Sequence, residues 1–132
     1  MTYLIDSDIL ISAATGRQDA QELINEATQY GAAISVISLG EVYEGAVDGI
    51  QGEDRTKLNY LRRYLQAFPI LGLEDQIMER FARIRAELRS QGQLIPDLDI
   101  LIAASALDHG LTLVTRNVSR FQRIPGLELR SE

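Results

Sequence analysis

The chain has 132 residues, 45% of them hydrophobic and 24% charged, which fits one globular domain over residues 1–132. It has no cysteine and one histidine, so disulfides, thiol catalysis and metal sites built from several histidines are excluded. The net charge of −6 argues against sequence-independent binding of nucleic acid, but it is compatible with an enzyme that collects carboxylates around a metal.

Apolar or β-rich runs alternate with stretches of helical spacing along the chain. In chain order, the first predicted elements are a strand at 3–5, a short helix at 9–14, a helix from 19 to the glycine at 31, a strand at 32–37, a helix from Ser38 to the glycines at 49 and 52, and a helix at 54–68. The next are a short strand at 70–73, helices at 75–91 and 97–109, a strand at 111–115, a loop or short helix at 116–123 and an edge strand at 127–129. Strands separated by helices predict a three-layer α/β/α fold with a central, mainly parallel sheet of four to five strands.

Polar residues gather at one edge of this predicted sheet. Asp6 follows the first strand, Glu41 comes soon after the second, and Asn117 follows the strand at 111–115. Asp97 and Asp99 begin a helix that runs antiparallel to the strands, so its N-terminus lies at the same edge. Ligands of open parallel sheets bind beyond the carboxyl ends of the strands. The sequence therefore predicts a site at this edge.

Carboxylates crowded into one cleft raise each other's pKa, and a hard divalent cation removes that penalty. A site made only of oxygen ligands suits Mg²⁺ or Mn²⁺, which activate water and stabilise the displacement at a phosphodiester. Supporting positions are predicted for Asp8, Asp97, Asn117 and Thr115. Arg116, next to the predicted site, is expected to hold a phosphate.

Each of these acids also has a purely structural interpretation. The Asp6-Ser7-Asp8 segment is suited to capping a helix. The segment from Ser38 to Glu41 matches the capping box S-x-x-E, and Asp97 or Asp99 is a plausible N-cap. Spacing and topology leave a metal site and a capped α/β domain equally open.

Four segments resemble the motifs of the PIN-domain family, in the branch of the VapC-like ribonuclease toxins. They are an apolar strand with acids at 3–8, a segment with a glutamate at 37–42, an aspartate before an apolar Ile-Ala-Ala helix at 96–107, and a closing segment at 113–127. The resemblance spans nearly the whole chain. It implies that Asp6, Glu41 and Asp99 are the catalytic, metal-binding acids. It also places Asn117 where the family often has a fourth acid, and Asp8 where it usually has asparagine.

The resemblance further implies a PIN-like fold and Mg²⁺- or Mn²⁺-dependent cleavage of RNA. It implies a homodimer that is inhibited by a small antitoxin protein. An apolar groove for the antitoxin is predicted on the helices that carry Leu58, Leu61 and Leu65 or Val42 and Val47. Because the chain lacks both a long apolar run and a signal-peptide pattern, we expect a cytoplasmic protein with no membrane partner.

Two other functions remain open at this point. The chain could be a catalytically weak PIN-like module that binds RNA or protein, since Asn117 stands where an acid is often found. It could also be a phosphatase of the haloacid-dehalogenase type, with Asp6 as a covalent nucleophile. The sole lysine, Lys57, argues against the phosphatase, which needs a lysine late in the chain.

Overall fold

The computed structural model describes residues 1–48 and 55–131. Within these ranges the strands are β1 (Tyr3–Ile5), β2 (Ala32–Ser35), β3 (Ile70–Leu71), β4 (Thr112–Val114) and β5 (Leu129–Arg130). The helices there are α1 (Ser7–Ala14), α2 (Gln18–Gln29), α3 (Val36–Val47), α4 (Thr56–Leu65), α5 (Asp75–Ser90), α6 (Asp97–Asp108) and α7 (Val118–Phe121). The predicted stops at Gly49 and Gly52 and the predicted helix start at residue 54 lie outside the described residues.

The five strands pair in parallel, in the order β3-β2-β1-β4-β5. Leu4, Ala33 and Leu113 are register partners, and they contribute to one core together with α5, α6 and α7. The next residue of each of these strands contributes to a second core with α1 to α4, because successive side chains of a strand point to opposite faces. Burial of each large apolar side chain contributes roughly 1.5–3 kcal/mol. The predicted three-layer fold with a central parallel sheet is confirmed.

The start of α3 corrects the prediction for the segment around Ser38. The second strand ends at Ser35, and the Ser35 hydroxyl caps α3 by accepting a hydrogen bond from the Ile37 N–H at 3.0 Å. The predicted capping box from Ser38 to Glu41 is therefore wrong. The β-branched pair at residues 36 and 37 resembles a strand locally, but the ladder with β3 stops at Ser35 and the chain turns into a helix.

Two further expectations about helices are corrected. Pro96 occupies the N-cap position of α6, so neither Asp97 nor Asp99 is the cap. The apolar residues predicted to line a partner groove are mostly core residues: Val42, Leu58, Leu61 and Leu65 are buried. Only Val47 of that set is exposed, at 51%. In the described part of the chain no helix is long and apolar enough to cross a bilayer.

Candidate active site

Asp6 sits at the centre of the site because it directly follows β1, the middle strand of the sheet. Its side chain is almost fully buried, and both oxygens accept hydrogen bonds. The Ser7 N–H donates to Oδ1 at 2.9 Å, and the Thr115 hydroxyl donates to Oδ2 at 2.8 Å. Asp6 is thus the N-cap of α1, as the structural interpretation predicted, and it also connects the ends of β1 and β4.

Asp8 lies in the first turn of α1 and binds the loop that follows β4. Its Oδ1 accepts a hydrogen bond from the Ile9 N–H at 2.7 Å, and its Oδ2 accepts one from the Arg116 N–H at 3.2 Å. The carboxylate is therefore fixed by neutral backbone donors, which orient it without cancelling its charge.

Glu41 reaches the same place from the second turn of α3. The Ser7 hydroxyl donates a hydrogen bond to its Oε1 at 3.0 Å, across 34 positions of sequence. Ser7 is a site residue that the sequence prediction did not name. The one feature of the sequence that pointed to Ser7 is its position between two predicted site acids, Asp6 and Asp8.

Asp99 is buried in the first turn of α6. Its Oδ2 lies 2.8 Å from Nη1 of Arg120, a residue of α7 that the sequence prediction also missed. The two atoms are close, but no N–H is aligned with the oxygen as a hydrogen bond requires. Asp99 therefore has a counter-charge and a buried oxygen that still lacks a hydrogen-bond donor.

The pKa values show that these acids share one electrostatic environment. The pKa of Asp6 is raised from 3.8 to about 7, mainly by burial, then by the charge of Asp8 and least by that of Asp99. The hydrogen bonds from Thr115 and Ser7 lower it, but by less. Burial and the charges of Asp99, Glu44 and Asp8 raise the pKa of Glu41. The charge of Asp8 acts on each of Asp6, Glu41 and Asp99, so four acids from three separate segments lie near one another at one edge of the sheet.

The pKa of Asp99 is also raised. Burial raises its pKa most, the charge of Asp8 adds to that rise, and the Arg120 guanidinium opposes it. Four carboxylates meet here, and Arg120 is the cation that lowers the pKa of Asp99, so negative groups outnumber it in the cluster. An additional cation would therefore be stabilised here.

The remaining predicted site residues lie around the cluster or outside it. Asp97 is exposed and pairs with Arg85 of α5 at 2.7 Å, away from the other acids. Asn117 donates its backbone N–H to the Thr115 hydroxyl at 3.0 Å. The guanidinium of Arg116 contacts Ser12 at 2.6 Å and Asp19 at 3.7 Å, so in this arrangement it links the loop to α1 and α2. Its predicted contact with a phosphate stays a prediction.

The expectation that three carboxylates would be close enough to share one ion is not met in this arrangement. Across residues 1–48 and 55–131, no three acidic or histidine side chains are placed so that they could hold a metal ion together. The physical reason is that each acid is drawn to a separate partner: Asp6 to Thr115, Glu41 to Ser7 and Asp99 to Arg120. The donor chemistry nevertheless fits a hard cation, because the site offers carboxylate oxygens and Asp99 Oδ2 lacks an aligned donor.

Thr115 allows a first test of this network. Thr115→Val keeps the shape but removes the hydroxyl, which leaves Asp6 Oδ2 without its donor and the Asn117 N–H without its acceptor. We expect a loss of roughly 1–3 kcal/mol in the free energy of unfolding, measured by urea denaturation. Thr115→Ser restores the hydroxyl and should recover most of the loss. Equal stability of the valine and serine variants would contradict the role assigned to this hydroxyl.

Comparison with known proteins identifies the family. The family model described as PIN domain matches residues 3–127. The chain is 36% identical to ribonuclease VapC1 of Rickettsia felis, over 98% of this chain and 95% of that protein. The structure of VapBC2 from Rickettsia felis bound to a promoter DNA fragment matches with a TM-score of 0.89 and 26% identity, covering 100% of this chain and 99% of that one. A toxin–antitoxin complex from Klebsiella pneumoniae matches with a TM-score of 0.74 and 31% identity, covering 96% and 95%. With residues 3–127 matched, the chain belongs to the PIN-domain family, in its VapC branch.

Proposed function

We propose that this protein is a metal-dependent endoribonuclease that hydrolyses RNA phosphodiester bonds, and that it is the toxin of a toxin–antitoxin pair. The observation that carries the proposal is the convergence of Asp6, Asp8, Glu41 and Asp99 on one edge of the sheet, where burial and the charge of Asp8 raise the pKa of the other three acids. The ribonuclease name of the Rickettsia felis relative supports the same reaction. The family match leaves the haloacid-dehalogenase-type phosphatase without support.

In this proposal Asp6, Glu41 and Asp99 would hold Mg²⁺ or Mn²⁺. Such an ion, when bound, lowers the pKa of a water molecule and offsets negative charge on the phosphodiester group. The sole lysine, Lys57, lies on α4, and the sole histidine, His109, is at the C-terminal end of α6, opposite the end that carries Asp99, so carboxylates are the side-chain bases that this cluster offers. The acids are therefore the groups on which the reaction depends.

The neighbouring residues orient these acids before any ligand arrives. The Ser7 N–H and the Thr115 hydroxyl fix the two oxygens of Asp6, while the Ser7 hydroxyl fixes Glu41. Neutral donors restrain a carboxylate without neutralising it, so its charge remains available to a cation. In the metal-free protein Asp6, with a pKa of about 7, carries a proton part of the time at neutral pH.

The partners we propose are RNA, a small antitoxin protein and a second copy of the chain. The matched toxin–antitoxin complex from Klebsiella pneumoniae supports the antitoxin. The surface we propose for such a partner is the small pocket between α1, α3 and α4, where Ile11 is exposed and the buried Val42, Ala46 and Leu61 form the floor. An RNA substrate implies that the protein acts in the cytoplasm.

A cleavage assay on total RNA tests the reaction. Purified protein should cut RNA into discrete fragments in Mn²⁺ or Mg²⁺, lose this activity in EDTA and regain it when excess metal is added. Asp97→Asn serves as a matched control, because Asp97 lies on the same helix as Asp99 but pairs with Arg85 at the surface. RNA binding without cleavage under any metal condition would favour the binding module. Cleavage that persists in EDTA would contradict the metal dependence.

A further inference from the structure

The ion pair between Arg120 and Asp99 differs from an ordinary surface pair. Asp99 contributes a side chain only 11% exposed, whereas Arg120 is 39% exposed and comes from the short helix α7. The guanidinium lies 2.8 Å from Asp99 Oδ2 without an aligned N–H. The pair therefore combines close charges with poor hydrogen-bond geometry, at one of the three acids proposed to hold a metal.

A second arginine–aspartate pair, whose aspartate also lies in the first turn of α6, gives the comparison. Arg85 donates a hydrogen bond from Nε to Asp97 Oδ1 at 2.7 Å, and both side chains are partly exposed, at 30% and 57%. That pair links α5 to the start of α6 and involves no other acid of the site. The two pairs share residue types and helix, but only the Arg120 pair reaches into the acidic cluster.

We infer that Arg120 acts as an internal substitute for the divalent cation at Asp99: it neutralises this carboxylate in the metal-free protein and withdraws from it when the cation binds. The inference rests on the proposed function, since it assumes that a divalent cation binds at this cluster. Arg120 is accordingly a positioning residue, because it acts through Asp99.

Withdrawal follows from the charges involved. A metal held by Asp99 and a guanidinium against the same carboxylate would be two positive centres within a few ångströms of each other. The repulsion is strong where water is scarce, and Asp99 is buried. Separating the two cations therefore lowers the energy, and the guanidinium is the one on a flexible, partly exposed side chain.

The structure leaves Arg120 free to make this movement. The helix α7 is anchored by Phe121, which is fully buried in the core, and the Arg120 backbone N–H bonds to the Asn117 carbonyl. Neither anchor involves the guanidinium. The long side chain can therefore turn toward solvent while the backbone stays in place.

Metal affinity is the direct test. Titration calorimetry with Mn²⁺ alone should give a dissociation constant roughly tenfold lower for Arg120→Gln than for the unaltered protein, because the competing charge is gone. Arg120→Lys, which keeps a charge but not the planar group, should fall between them. Arg85→Gln removes a nearby charge of the same kind and should bind Mn²⁺ within about twofold of the unaltered protein.

Thermal unfolding gives a second readout that does not depend on activity. In EDTA, Arg120→Gln should melt at a lower temperature, since Asp99 loses its counter-charge. Saturating Mg²⁺ should raise the melting temperature of this variant more than that of the unaltered protein, whereas Arg85→Gln should gain no more than the unaltered protein does.

The outcomes separate the two claims. If the unaltered protein and all variants bind Mn²⁺ with equal affinity, the role of Arg120 is overturned and the proposed function stands. If Arg85→Gln tightens binding as much as Arg120→Gln, the effect is one of net charge and the inference fails. If no version of the protein binds Mn²⁺, both the metal-dependent function and this inference are overturned.

Discussion

Asp6→Asn is expected to lower the rate of RNA cleavage by about a hundredfold or more while the fold stays intact. Asparagine keeps the size of the side chain and the Oδ1 acceptor for the Ser7 N–H, but it removes the charge that would hold the cation. If Asp6 served only as the N-cap of α1, asparagine would replace it almost without effect, since the two residues cap helices about equally well. Cleavage rates in Mn²⁺, together with melting curves, distinguish the two roles.

The control for this variant is Asp97→Asn, which makes the same chemical change at an acid outside the cluster. Asp97 is 57% exposed and pairs with Arg85, so its variant should keep nearly full activity. Asp99→Asn should behave like Asp6→Asn. Full activity in Asp6→Asn, or a loss that is explained by unfolding, would contradict the assignment of Asp6 as a metal-binding residue.

The fold could be predicted where local pattern and tertiary packing agree. Apolar runs such as residues 3–5 and the helical spacing of residues 75–91 depend only on which side chains must be buried, and both elements form as predicted. The boundary at Ser35 was missed because residues 36 and 37 favour a strand locally. What ends β2 is the length of its pairing with β3, which is a tertiary property.

The candidate site could be predicted only to the level of its acids. Topology places Asp6, Glu41 and Asp99 at one edge, because strands and helices of known direction bring them there. The partners that orient them depend on side-chain directions across loops, which periodicity does not reveal. Ser7 and Arg120 were missed for this reason, and the contacts of the Arg116 guanidinium with Ser12 and Asp19 were missed too, while its contact with a phosphate stays a prediction.

The acidic cluster also predicts an unusual dependence of stability on pH in the metal-free protein. The pKa of Asp6 is raised from 3.8 to about 7, first by burial and then by the charge of Asp8. The folded protein therefore binds this proton more tightly than the unfolded chain does. The stabilisation is fully present below about pH 4 and is lost as the pH rises through about 7, since above that value the folded state must hold a buried charge.

We expect this effect to appear as a decrease in the free energy of unfolding between pH 4 and pH 8, measured by urea denaturation in EDTA. A rise in pKa from 3.8 to about 7 corresponds to at most ~4 kcal/mol. Asp6→Asn cannot ionise, so it should show a much flatter profile and be more stable than the unaltered protein at pH 8. The raised pKa values of Glu41 and Asp99 act in the same direction, so the variant should keep a smaller slope of the same sign. Parallel profiles for the two proteins would show that Asp6 ionises in the folded state as easily as in water.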